Sequence, residues 1–374
     1  MKYLSIIFLF IFNITVGQKA TTYLLVGTYT DGKPDKGIYV YNFNTLNGEL
    51  NMVSTAENIT NPSFVTMSPD GHFLYSCVDT KMPNSGNIAA FEFDNTNGHL
   101  KFLNKQSTAG ANPVNLTVSG NNKYIVTGNY TDAGVTVLST NANGTINPYL
   151  QTIPFLDSSI NKVRQDKSHI HSTIFSPDYK YLYLPDLGAD KIRVFKFDAD
   201  SAKPLIAQEQ LTVHTVPGSG PRHLVFHPEK KVAYCTEEMA GMVVAYAYKQ
   251  GKLNAIQRIF SYSKPNKGDY STADIHISTD GKFLYASNRG ENTISIFTID
   301  KKGKLKLIGH HSTMGNTPRN FTLDPTGNYL LVANQSSDNV VVLKRDSVTG
   351  LLETTGIEIK VPTPTCVIMR TFSN

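Results

Sequence analysis

The chain has 374 residues, of which 40% are hydrophobic, 17% are charged and none is Trp, and its formal net charge is +5. That composition belongs to a globular protein with a substantial core and excludes a disordered or fibrous chain. The charge is mild and no Lys/Arg run marks any segment, so no nucleic-acid partner is expected.

At the start, Lys2 precedes a mostly apolar run from Tyr3 to Val16, followed by Gly17-Gln18-Lys19-Ala20. A basic start, an apolar middle and a small-residue end read as a secretory signal over residues 1–20, cleaved near 17–20. The run is shorter than the ~20 apolar residues that cross a bilayer, and no Cys follows it to carry a lipid. The expected mature protein, 21–374, is exported, periplasmic or secreted, with no membrane span once the signal is cleaved.

From there one phrase repeats with a period of about fifty residues, the mark of a closed array of β-blades. It reads as a strand, a four-residue turn and a second strand rich in Tyr and Leu; its clearest copies are Asn61–Ser76 and Ser271–Ala286. The turns open at Ser68, Ser119, Ser176, His227, Ser278 and Asp324. Pro, Asp, Asn and Gly in them supply the dihedrals of a tight hairpin. A second hairpin follows each, and its opening strand occurs seven times, from Gly37, Asn87, Gly134, Lys191, Gly241, Asn292 and Asn339. Seven second hairpins against six complete first ones leave one first hairpin split between the ends. Tyr23–Tyr29 matches its second arm and Thr363–Met369 its first. The predicted fold is all-β, a seven-bladed propeller of four-stranded blades closed by pairing of the N- and C-terminal strands, which removes open sheet edges. Cys77, Cys235 and Cys366 fall in predicted strands at spacings that fit no metal motif, and are expected to be buried thiols.

Indexing from the turns also locates a site. Five residues before each turn stand Ser63, Val114, His171, Arg222, Ala273 and Arg319; eleven after stand Asp79, Tyr130, Leu187, Glu238, Arg289 and Gln335, with Tyr29 in the split blade. The two sets lie roughly level on the two arms of the hairpins, hence at the same end of the innermost strands. Consecutive blades therefore bring His171, Arg222, Glu238, Arg289 and Arg319 to one mouth. Arg–Glu pairing alone could serve to neutralise the channel. Three Args and a His against one Glu exceed that need and suit an anionic ligand held by forked hydrogen bonds. Asn115, Asp186 and His223 are further candidates for ligand contact. The ring ten after the turns, Asn129, Asp186, Glu237, Asn288 and Asn334, is regular enough for structural capping, with Asp186 the possible exception because His171 shares its blade. His169 shares the strand face of His171.

At these residues the chain resembles the seven-bladed propeller lactonases, the family of the propeller-type 6-phosphogluconolactonase and the carboxy-muconate lactonizing enzyme. The resemblance is carried by His169-Ile-His-Ser172, Leu182–Asp190, Gly218-Ser-Gly-Pro-Arg-His-Leu-Val-Phe-His-Pro228, Tyr285-Ala-Ser-Asn-Arg-Gly290 and Thr317-Pro-Arg-Asn-Phe-Thr-Leu-Asp-Pro325. It implies a catalytic site at His171, Arg222, Glu238 and Arg289. The expected activity is hydrolysis of a sugar or carboxylated lactone, an anionic or polyhydroxylated small molecule, with no metal or other cofactor. His171 would act as acid–base, Arg222 and Arg289 would hold charge, Glu238 would orient Arg222, and Arg319 would extend the binding surface. Two rival readings are an exported sugar-acid binding protein without catalysis and a protein-interaction scaffold. The export signal leaves the lactone open, since sugar phosphates are cytoplasmic metabolites, and the sequence gives no oligomeric state.

Overall fold

Runs such as Tyr329–Asn334, mostly apolar and buried at every position, fit strands buried on both faces, whereas Leu352–Lys360 alternates between sheltered and exposed positions as an outer strand does. The computed structural model describes residues 20–83, 86–265 and 270–373. Among them the strands form seven sheets arranged as blades, with no α-helix. The proposed leader lies outside the described residues except for Ala20, which opens the first strand. No helix among the described residues is long and apolar enough to cross a membrane.

The first blade is the split one. The C-terminal strand Pro364–Ser373 runs antiparallel to Ala20–Thr28, in register from Ala20 opposite Ser373 to Gly27 opposite Cys366, and shifts by one before Thr28 meets Pro364. Ile38–Phe43 and Leu50–Ala56 complete that sheet, so the ring closes as expected. The blades stack face to face, and seven apolar clusters fill the interfaces between neighbours. One of these, from Leu24, Val26 and Tyr41 to Leu331 and Val342, joins the last blade to the first. The closure is therefore held by backbone pairing within one blade and by apolar burial on its flank. Cys77, Cys235 and Cys366 are buried free thiols in these layers.

The fourth blade departs from the four-stranded plan. Its outer edge is made of two short strands, Leu205–Ala207 and Val213–His214, both paired with Lys191–Phe197. A 3₁₀ turn at Glu209–Leu211 lifts the chain off the sheet between them. Its innermost strand is only Ile174–Phe175.

Candidate active site

The innermost strands carry an irregularity at the site positions. In the fifth blade Pro221 pairs with Glu237 and Leu224 with Cys235, so Arg222 and His223 together face Thr236 alone. The same two-against-one step sets Ala273 and Asp274 against Ser287, and Arg319 and Val114 are extra residues in their own ladders. Such bulges turn side chains out of the pleat. The amides so released are satisfied across the ladder, His223 N–H donating to Thr236 Oγ1 at 3.1 Å and Asp274 N–H to Ser287 Oγ at 3.0 Å. In the fourth blade the ladder gives way entirely. His171 lies between an isolated bridge at Ile170 and the strand at Ile174, not within a strand arm as the repeat predicts. Its N–H donates to Pro185 O at 3.0 Å, which fixes its level.

Arg222 is set by the segment before it. Gly218 and Gly220 adopt φ of 83° and 64°, a conformation open to Gly at little cost. Their N–H groups both donate to the buried Asp190 carboxylate, at 2.6 and 2.8 Å. Pro221 then starts the strand. Glu238 stands just beyond the opposite strand, its N–H bonded to Gly220 O at 2.8 Å.

The four principal candidates meet. Glu238 Oε2 lies 2.9 Å from Arg222 Nε and 2.8 Å from Arg289 Nη2. Glu238 Oε1 accepts a hydrogen bond from Arg164 Nη2 at 2.6 Å. Neither Arg222 nor Arg289 aims its N–H well at the carboxylate, and Arg222 Nε and Nη1 and Arg289 Nη2 are left without hydrogen-bond partners. His171 and Arg222, 6% and 1% exposed, line one small cavity with Arg319. Tyr130 meets the edge of the His171 ring at 5.6 Å and stacks on His169 at 4.3 Å. His169 is thus a buried support for the mouth, not a surface residue.

A family model described as lactonase, 7-bladed beta-propeller, matches residues 23–369. The chain belongs to this lactonase family. A 6-phosphogluconolactonase of Formosa agariphila is 43% identical over 94% of this chain and 100% of its own length. One from Bacillus subtilis is 32% identical over 91% of this chain and 96% of its own. Among solved structures, the periplasmic gluconolactonase of Pseudomonas aeruginosa superposes with a TM-score of 0.89 at 33% identity, covering 94% of this chain and 99% of that one.

The electrostatics of this propeller lactonase follow from burial. Burial raises the Glu238 pKa, but Arg289, Arg222 and Arg164 outweigh it and hold the carboxyl at about 2. Burial and the neighbouring Arg289, opposed by Glu238, push the Arg222 guanidinium down to about 9. His171 is held well below its ordinary value by burial first, then by Arg222, His223, Arg319 and Arg289. At neutral pH it is a neutral imidazole among cations, with Nδ1 lacking a partner. Arg319 has no carboxylate within ion-pair distance among the described residues and lies 5.8 Å from the Tyr29 ring.

The remaining candidates separate. Asp186 belongs to the structural ring. Its Oδ1 accepts from His169 N–H at 2.8 Å, its Oδ2 from Arg193 Nε at 2.9 Å, and it is fully buried. Both oxygens are committed inside the fold, so the substrate contact expected of Asp186 is not available. Glu237, Asn288 and Asn334 are likewise bonded to Arg258, Ser261 and Thr313. Asn115 Oδ1 accepts from Thr173 N–H at 2.8 Å and from its hydroxyl at 3.0 Å, joining the third blade to the fourth. Its carbonyl oxygen is thus committed as a tie between blades. His223 packs against His171 at 5.4 Å between ring centres, but its Nδ1 is bonded to Asp274 Oδ1 at 2.7 Å, beneath the mouth.

Three residues at the site are not singled out by the repeat reading. Arg164 lies between Pro154 and Ile174, the longest connection between blades, where no turn offset applies. A long connection is itself a functional signal. Tyr130 occupies the same offset as Glu238 and Arg289 but carries no charge to mark it. Asp274 sits one residue past the Ala273 position and is found only once the bulge is known.

Proposed function

We propose that this lactonase hydrolyses the lactone ring of an anionic or polyhydroxylated small molecule at the cationic mouth. The supporting observation is a buried neutral His171 beside Arg222, whose Nη1 is buried without a partner while its Nε pairs with Glu238. Neutralisation of the channel would need no surplus. Here Arg164, Arg222 and Arg289 share one carboxylate, and Arg319 stands near them without one.

His171 takes a proton from water as it attacks the lactone carbonyl, then returns it to the ring oxygen as the C–O bond breaks. Arg222 and Arg289 offset the charge that grows on the carbonyl oxygen. Glu238, ionised at neutral pH, holds both guanidiniums in place. Arg319 holds an anionic or hydroxyl group of the substrate. Export of the mature domain 21–374 is part of this reading, supported by the leader-like residues 1–20 and by a periplasmic relative.

The test is a panel of γ- and δ-lactones of sugar acids, phosphorylated, carboxylated and neutral, with product acid titrated at constant pH. Turnover by the wild type and loss in His171→Ala is expected. Wild-type binding without turnover of any lactone would instead favour a binding protein.

A further inference from the structure

The positions five before the turns do more than carry His171 and the two Args. With Thr365, their equivalent in the split blade, they converge from six blades: Ser63, Val114, His171, Arg222, Arg319 and Thr365 line one cavity on the propeller axis. Room for water centres there is about 10 Å³, the space of a single water. Three of its lining residues carry buried polar atoms without hydrogen-bond partners: Ser63 Oγ, His171 Nδ1 and Arg222 Nη1, while Arg222 Nε is ion-paired with Glu238. Buried polar atoms are nearly always satisfied, so a cluster of orphans around one small space calls for a ligand. The other lining hydroxyl is already engaged, since Thr365 Oγ1 donates to Ser63 O at 2.9 Å and Gly27 O at 3.1 Å.

We propose that this cavity holds the hydrolytic water and that Ser63 is the residue that positions it, an inference that rests on the lactonase reading above. The donors and acceptors fit one water. It donates one hydrogen to His171 Nδ1 and the other to Ser63 Oγ, and accepts from Arg222. One lone pair is left for the carbonyl carbon. As its oxygen bonds to that carbon, its proton passes to His171 and then to the ring oxygen as the C–O bond breaks, giving the hydroxy acid. Ser63 is fixed by its own N–H, which donates to Cys77 O at 3.1 Å, so its hydroxyl is the free part. Apolar Val114 and Phe64 in the wall admit no larger nucleophile.

The experiment compares Ser63→Ala with wild type on whichever lactone wild type turns over, with and without methanol as a competing nucleophile. The variant deletes only an unpartnered hydroxyl, so thermal unfolding is expected to be unchanged. Its kcat is expected to fall about 10- to 100-fold with KM nearly unchanged, the loss of one hydrogen bond to the attacking species. Methyl ester is expected to form at the expense of acid, because removing Oγ makes room for a methyl group. Unchanged kcat, or unchanged partition between acid and ester, overturns the role of Ser63. A wild type that turns over no lactone overturns the lactonase reading itself and the water site with it.

Discussion

Arg164 Nη2 lies 2.6 Å from Glu238 Oε1, so the carboxylate that meets Arg222 and Arg289 with one oxygen is held by a third guanidinium through the other. Arg164 comes from a connection between blades, its side chain 45% exposed, whereas Glu238 is buried. A partly exposed cation from a connection thus completes a site whose other members are largely buried at the inner ends of the blades.

Arg164→Ala is expected to fold normally and to lower kcat/KM roughly tenfold, since Glu238 then holds its two partners less firmly. The Glu238 pKa should rise from about 2, because one of the cations that depress it is gone. Steady-state kinetics and carboxyl titration by NMR check both.

Glu238→Gln removes the counter-charge of a buried Arg222. The expected loss is about 3–5 kcal/mol, the usual cost of leaving one partner of a buried pair. Glu238→Gln/Arg222→Met should recover part of that stability while remaining inactive. Urea unfolding of the two variants decides; equal stability would refute the pairing.

His171 is held below its ordinary value, mainly by burial. A base must be neutral to act, so kcat/KM should rise with pH along a limb lying below pH ~6.5 and be flat above it. His171→Ala should lower kcat by about 10²–10⁴-fold. A limb centred above pH ~7 that vanishes in His171→Ala would contradict the cationic, buried setting.

Burial and Arg222 depress His223 to about 4, against the opposing pull of Asp274. Between that value and its ordinary 6.5 the unfolded chain binds the proton that the folded chain refuses. Stability from this group is therefore full above pH 6.5 and lost as pH falls toward 4, on the order of 3 kcal/mol. Asp274, held below its ordinary value, acts in the same direction at lower pH. Thermal melts of His223→Gln should show a shallower pH slope over that window than wild type.

A chelator should leave lactone hydrolysis unchanged, because the mouth is lined by cations rather than by the oxygen donors a calcium site requires. Loss of activity with EDTA and recovery with calcium would overturn this expectation.

Much was legible in the chain because a propeller repeats. The turn residues recur, so Ser68, Ser119 and their equivalents index every blade, and the Tyr23 and Thr363 segments declare themselves as halves of one hairpin. The same indexing picks out His171, Arg222, Glu238 and Arg289. It failed where geometry departs from the repeat. Asp186 shares a blade with His171, yet a neighbouring Arg193 and the His169 amide take both its oxygens. Asn115 differs from its neighbour Val114 by one residue, and across a bulge that residue is the difference between the cavity wall and a tie between blades.

The sequence by itself determined the blade count, the closure and the level of the charged residues, because hydrophobic period and turn chemistry act locally and are written in order along the chain. Tertiary structure alone decided that Arg164 reaches Glu238, that Asp274 backs His223, and that Ser63 and His171 line one cavity. Those relationships join residues far apart in sequence through bulges and a long connection. Which polar atoms find partners and which are left open depends on angstrom-scale aim that no spacing encodes.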